Sequence, residues 1–185
     1  MNTAVTSKEE ILKTSRELIR RQGWSAVSIR SVAAGCGVSV GSIYNYFDSK
    51  TDLIGATVES VWCEIFHRPE DDAVFQDVQA CVAWMYQRMA YGCERYPGFF
   101  TLHSLGFLRE DKTAGKQRMQ QTWQYILAGL CSVLKQDVRI RPDAFTEQFT
   151  AEKFADVLFS QMLSALLRQD YDPSAVLEIV RRTLY

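Results

Sequence analysis

Between Val40 and Lys50 the sequence VGSIYNYFDSK brings together small residues, two phenols, an amide and an ammonium. If the segment is helical, Ile43 and Phe47 lie four apart and form one apolar edge. Val40, Gly41, Tyr44 and Asn45 then face the other way. This equipment reads a polar surface. A helix kept narrow at its start by Val40, Gly41 and Ser42 can bring its backbone close to base edges in a DNA major groove. Asn45 carries the donor and acceptor that complement adenine, and Val40 offers an apolar contact for a thymine methyl. The hydroxyls of Tyr44 and Tyr46 sit on stiff arms suited to phosphate, and Lys50 reaches the same backbone from the start of the next helix. Ser39 is the expected N-cap of the reading helix, whose first amides favour an anion.

Two short helices joined by a tight glycine turn are needed to hold that face outward. Ser28 caps the first, whose inner face is Ile29, Val32, Ala33 and Cys36, and Gly37 ends it. The arrangement is a helix-turn-helix. Ahead of it, Ser7-Lys-Glu-Glu10 is a capping box for a helix with Ile11, Leu12, Ser15, Leu18 and Ile19 inside and Gly23 at its stop. Charge supports the placement. Residues 1–50 hold seven Lys/Arg against four Asp/Glu, whereas residues 51–185 hold fourteen against eighteen. A basic head on an acidic body favours a polyanion at the head.

The run SIRSVAAGCGVSVGSIYNYFDSKTDLI resembles the N-terminal signature of the tetracycline-repressor (TetR) family, over about Ser7 to Ile54. Its most specific part is Ser42-Ile43-Tyr44-Asn45-Tyr46-Phe47, followed by Ser49-Lys50 and Leu53. The resemblance implies a homodimeric repressor with two DNA heads, a palindromic operator and an all-helical body that binds a small-molecule effector. It implies phosphate contact at Ser28 with Arg30 beside it, backbone contacts at Ser42, Tyr44, Tyr46 and Lys50, and base proximity at Val40, Gly41 and Asn45. The sequence departs from the family pattern at Ser28, often threonine, at Gly35-Cys36 in place of a polar-Ala pair, and at Val40, often polar.

The fold class expected is all-α, with about nine helices. A helix-turn-helix domain spans 1–50, a connecting helix and linker 51–72, and a ligand-binding and dimerisation domain 73–185. The later helices are expected from about Ala73 to Arg95, Phe99 to Leu108, Gln117 to Lys135, Phe145 to Gln169 with a break allowed near Thr150, and Asp172 to Leu184. Aromatic and methionine residues gather in the first three of these, and plastic linings of that kind suit hydrophobic or aromatic ligands. Trp84, Met89, Tyr91, Phe99, Phe107, Trp123 and Ile126 are the candidate lining, with Arg88 as an anchor and His103 as the polar group in TLHSLGFL. The last two helices carry more apolar surface than one inward face requires, so a second copy is expected to cover part of it. The candidate dimer residues are Leu158, Ser160, Ser164, Leu167, Val176, Ile179 and Val180.

No cofactor, metal or catalytic activity is expected. Two histidines and five cysteines without CxxC spacing make no zinc pattern, and no nucleophile, paired-carboxylate or phosphate-loop motif is present. No stretch approaches the ~20 apolar residues of a membrane span, and the N-terminus lacks a signal-peptide core, so a cytoplasmic protein is expected. Two alternatives keep the same fold: a redox sensor using Cys81, Cys93 or Cys131, and a DNA-binding activator without an effector.

Overall fold

Hydroxyl and carboxylate side chains mark where the helices begin. Ser7 Oγ accepts a hydrogen bond from the Glu10 amide at 3.1 Å and opens α1, Lys8–Gln22. The Glu10 carboxylate turns instead towards Lys13, 3.8 Å away. Ile11, Ser15 and Ile19 are the buried stripe of α1, and Gly23, at φ 81°, takes the chain out of the helix into a short 3-10 turn, Trp24–Ala26. The computed structural model describes residues 6–66, 75–100 and 113–185. Among them the chain is helical throughout: α2 Ile29–Gly35, α3 Val40–Tyr44, α4 Lys50–Ile65, α5 Val78–Arg95, α6 Thr113–Gln136, α7 Ala151–Arg168 and α8 Ser174–Leu184. Of the helix expected over Phe99–Leu108, residues 101–108 lie outside the described residues, and Phe99 and Phe100 are in a turn. The expected start of the seventh helix at Phe145 moves to Ala151, because Thr150 caps there and accepts from the Lys153 amide at 3.3 Å. Asp77 caps α5 by accepting from the Gln79 and Ala80 amides, and residue 73, the expected start, lies outside the described residues.

The described residues group into two compact units, one within 1–65 and 92–122, the other within 66–91 and 123–185. The grouping brings residues distant in sequence into one unit, which linear boundaries at 50 and 72 do not express. In the first unit Trp62 meets Phe100 and Phe99 edge-on at 5.4 and 6.3 Å, and Phe99 meets Trp24 at 5.7 Å. Trp62, Tyr96, Phe47, Phe99, Ile43 and Leu53 are all essentially inaccessible to solvent. A glycine lets α5 press against this core: a Cβ at Gly92 would lie 2.6 Å from Ile65 Cδ1 and 3.1 Å from Phe100 Cε2.

Glu64 of α4 ties the same unit together electrostatically. Arg16 Nε lies 2.8 Å from its Oε2, Arg20 donates to its Oε1, and Arg95 Nε stands 3.5 Å away. Arg20 also donates to the Tyr96 hydroxyl at 2.7 Å. Burial pushes the Glu64 carboxyl up, but the hydrogen bond with Tyr96 and the charges of Arg20 and Arg16 outweigh it and hold the group below the ordinary carboxylate range.

In the second unit α7 and α8 bury Phe154, Leu158, Met162 and Leu166 with Val176, Val180 and Leu184. Asp137 sits under the start of α5. It accepts from the Val78 amide at 3.1 Å, from Arg139 Nη2 at 2.8 Å and from the Tyr185 hydroxyl. These donors, led by Arg139, keep its buried carboxyl ionised far below the ordinary range.

Candidate nucleic-acid interface and body cleft

The head is built from local rules. Ser28 Oγ accepts from the Ser31 amide at 3.1 Å and Ser31 Oγ accepts from the Ser28 amide at 2.9 Å, a reciprocal cap for a helix of only seven residues. The Gly35-Cys36 pair has a packing reason. A Cβ at Gly35 would stand 2.6 Å from Thr14 Cγ2, and Cys36 Sγ donates to Thr14 Oγ1 at 3.3 Å, so α2 seats directly on α1. Gly37, at φ 66°, makes the left-handed turn, and the Val38 amide returns to the Ala33 carbonyl at 3.0 Å.

Ser39 then caps α3, accepting from the Ser42 amide at 3.2 Å. Ile43 and Phe47 are buried as the inner edge, at 0% and 1% exposure. The opposite side is open: Val40 is 41% and Tyr44 49% exposed, and Ser39, Gly41, Asn45, Arg30 and Lys50 are exposed too. Ser28 and Ser42 are half-buried, each holding a helix end. A Cβ at Gly41 would have only Ser39 Oγ as a neighbour, at 3.7 Å, so nothing in the protein itself requires glycine there.

Two details differ from expectation. The reading helix is short: α3 ends at Tyr44, and Asn45 and Tyr46 occupy the turn that follows. Tyr46 is half-buried and its hydroxyl donates to the Thr6 carbonyl at 2.6 Å, which commits its proton inside the head. Ser49 and Asp52 reciprocate at the start of α4, the Asp52 amide giving to Ser49 Oγ and the Asp48 amide to Asp52 Oδ2, both at 3.1 Å. This fixes Lys50 at the first position of α4.

The second unit carries a cleft of about 260 Å³. Trp84 forms one wall, met edge-on by Phe75 at 5.5 Å and by Phe66 at 6.2 Å. Cys81 and Met85 continue that wall along α5, and Tyr125, Ile126, Gly129 and Val133 line the other along α6. Ser132 and Gln136 supply polar groups at one end. Burial pushes the Cys81 thiol up to about 12, so it is held as the neutral thiol.

Of the candidate lining, Trp84 and Ile126 meet in this cleft. Met89 and Phe99 do not: both are core residues, at 0% and 1% exposure, because the helical spacing that marks a pocket wall also marks an inner face. Tyr91 is exposed, with the Arg88 guanidinium 4.3 Å above its ring. Trp123 packs edge-on against Phe159 at 5.6 Å. His103 and Phe107 lie outside the described residues. The reading missed Phe66, Phe75 and Gly129, although a lone glycine in the middle of an apolar helix was a usable signal.

The candidate dimer residues divide by side. Leu158, Val176 and Val180 are buried within the second unit, since they fall on the inward stripe of α7 and α8. Leu167 and Ile179 are exposed at 58% and 49%, Ser160 is exposed and Ser164 half-buried, and Val157 adds a further exposed apolar residue. Among the described residues no three His, Cys, Asp or Glu side chains cluster to hold a metal, and no helix is long and apolar enough to cross a membrane.

Comparison with known proteins places these features. Residues 11–57 match the family described as "Bacterial regulatory proteins, tetR family". An uncharacterised HTH-type transcriptional regulator of Bacillus subtilis (strain 168), YerO, is 40% identical over 52 residues, 28% of this chain and 18% of the relative. The chain spans half or less of the length of the curated relatives it matches. The fold extends further. A putative TetR-family transcriptional regulator from Rhodococcus sp. superposes with a TM-score of 0.69 at 14% identity, covering 100% of both chains. The transcriptional regulator FadR from Bacillus subtilis, solved in complex with stearoyl-CoA, gives 0.65 at 16% identity, over 97% of this chain and 100% of that one.

Proposed function

Taking the chain as a member of the tetR family of bacterial regulatory proteins, we propose that it is a ligand-responsive repressor that binds a palindromic operator as a homodimer. The observation that carries this reading is the open side of α3. Val40, Gly41, Tyr44 and Asn45 are exposed together on an element whose opposite edge, Ile43 and Phe47, is fully buried. A protein gains no stability from leaving a valine and a tyrosine side by side in water, whereas a major groove offers both a partner. Ser28, Arg30, Ser39, Ser42 and Lys50 serve the phosphates around that contact. Tyr46 braces the head through Thr6.

Val157, Leu167 and Ile179 are the apolar residues that a second copy would cover on α7 and α8. A two-fold dimer presents two reading helices, and matching half-sites lie one helical turn or a multiple apart. The cleft is the site we assign to the effector, and its presence favours effector control over an activator without one. The neutral Cys81 thiol gives the redox alternative no support. A ligand acts by favouring one of two dimer states, so release follows its differential affinity for them. That FadR was solved with stearoyl-CoA is in keeping with a ligand in a body of this fold.

Selection from random duplexes tests the proposal. The expected result is an enriched palindrome with regularly spaced half-sites. On it, Asn45→Ala changes base preference at one position, and Lys50→Ala weakens all sequences and lowers the salt dependence. No enrichment from folded, ligand-free dimer, or three unaltered affinities for Tyr44→Ala, Asn45→Ala and Lys50→Ala, would sink it.

A further inference from the structure

The cleft of the second unit has a chemistry specific enough to name its ligand, granted the ligand-responsive reading above. Its walls are Phe66, Phe75, Trp84 and Tyr125 with the sulfurs of Cys81 and Met85, and the polar groups among the described lining are uncharged: Ser132, Gln136 and the Tyr125 hydroxyl. A formal charge placed here loses hydration and meets no counter-ion, which disfavours carboxylates, phosphates and ammonium groups alike. Trp84 is clasped edge-on from two sides, so its plane is set before anything binds. A fixed aromatic wall selects a flat, rigid partner over a flexible chain. Size narrows the choice further. At interior packing density, 260 Å³ holds roughly 10–15 non-hydrogen atoms, two or three fused rings.

Gly129 is the second observation. It lies inside the 24-residue helix α6, where glycine costs about 1 kcal/mol relative to alanine. Nothing in the protein explains that cost: a Cβ built on Gly129 meets no atom within 4 Å. The empty volume belongs to the cleft, which Gly129 lines. We propose that this cleft binds a small, uncharged, planar aromatic molecule of two or three rings, and that Gly129 is the residue that leaves room for it.

The test uses the full chain, titrated calorimetrically with four probes: 2-naphthol, 2-naphthoate, 1-naphthylmethylammonium and stearoyl-CoA. The expected result is one 2-naphthol per chain, at least tenfold tighter than either charged isostere. Gly129→Leu should weaken 2-naphthol at least tenfold, and Gly129→Ala should weaken it less while raising Tm, which guards against a misfolded leucine variant. The proposal is overturned if 2-naphthol does not bind, if a charged isostere binds as tightly, or if both glycine variants bind it like the parent. Fluorescence anisotropy on the selected operator separates the two readings. Stearoyl-CoA releasing DNA where 2-naphthol fails to bind overturns the ligand class and leaves effector control standing. Binding of 2-naphthol that Gly129→Leu abolishes, without change in DNA affinity, upholds the site and refutes effector control through it.

Discussion

Replacing Glu64 by glutamine removes one charge and almost no volume, so it isolates what the carboxylate does. Its partners are Arg16, Arg20 and Arg95, with the Tyr96 hydroxyl beside Arg20. The Glu64 side chain is 29% exposed, Arg16 21% and Arg20 18%, so solvent screens the cluster only in part. Removing one partner of a fully buried pair costs about 3–5 kcal/mol, and an exposed pair is worth about 0.2–1 kcal/mol. Intermediate burial places Glu64→Gln at about 2 kcal/mol, or a fall in Tm of roughly 4–8 °C for a chain of this size. The pH dependence has a definite sign. The folded carboxyl titrates below its unfolded value, so its contribution is complete above the unfolded value of about 4.3 and is lost as pH falls through the folded one. The gap in Tm between parent and variant should therefore be constant from pH 8 to about 5.5 and close on further acidification. Scanning calorimetry across that range measures it. A gap below about 0.5 kcal/mol at pH 7, or one that persists unchanged into acid, would show that the cluster does not stabilise the head.

Gly41→Ala should move two properties in opposite directions. It has no steric cost in the free protein and should raise stability by about 0.5 kcal/mol in urea titrations. A methyl inserted into a close DNA contact should weaken operator binding by about 1–3 kcal/mol, and unchanged anisotropy curves would contradict that approach. Gly37→Ala, at φ 66°, should lower stability by about 1–2 kcal/mol through strain alone, read by the same denaturation.

The parts of this protein legible in its sequence are those governed by neighbours. Ser7, Ser28, Ser39 and Thr150 each act on an amide three residues on. The four-residue spacing of Ile43 and Phe47 settled which side of α3 is inside. What stayed hidden depends on residues far apart in the chain. Tyr46 is diverted to Thr6, forty residues away, and no local rule announces it. In α7 and α8 apolar residues occupy more than one face, so periodicity could not say that Leu158, Val176 and Val180 point inward while Leu167 and Ile179 point out. Met89 and Trp84 obey the same helical pattern, yet one is core and the other a cleft wall. Only the packing of α5 against its neighbours distinguishes them. Ser31 illustrates a narrower gap: the reciprocal cap was sought as a glutamate, and a serine supplies it.

The contact at Gly92 has a mechanical consequence. Where Ile65 and Phe100 press on a bare backbone there is no slack for sliding, so α4 can move only by turning about that end. Its 16 residues make an arm of about 24 Å from Ile65 to Lys50. A tilt of about 5° at the fulcrum swings the Lys50 end through about 2 Å, two-thirds of a hydrogen-bond length. Displacements too small to disturb the aromatic packing at one end thus become, at the other, large enough to break register with a phosphate.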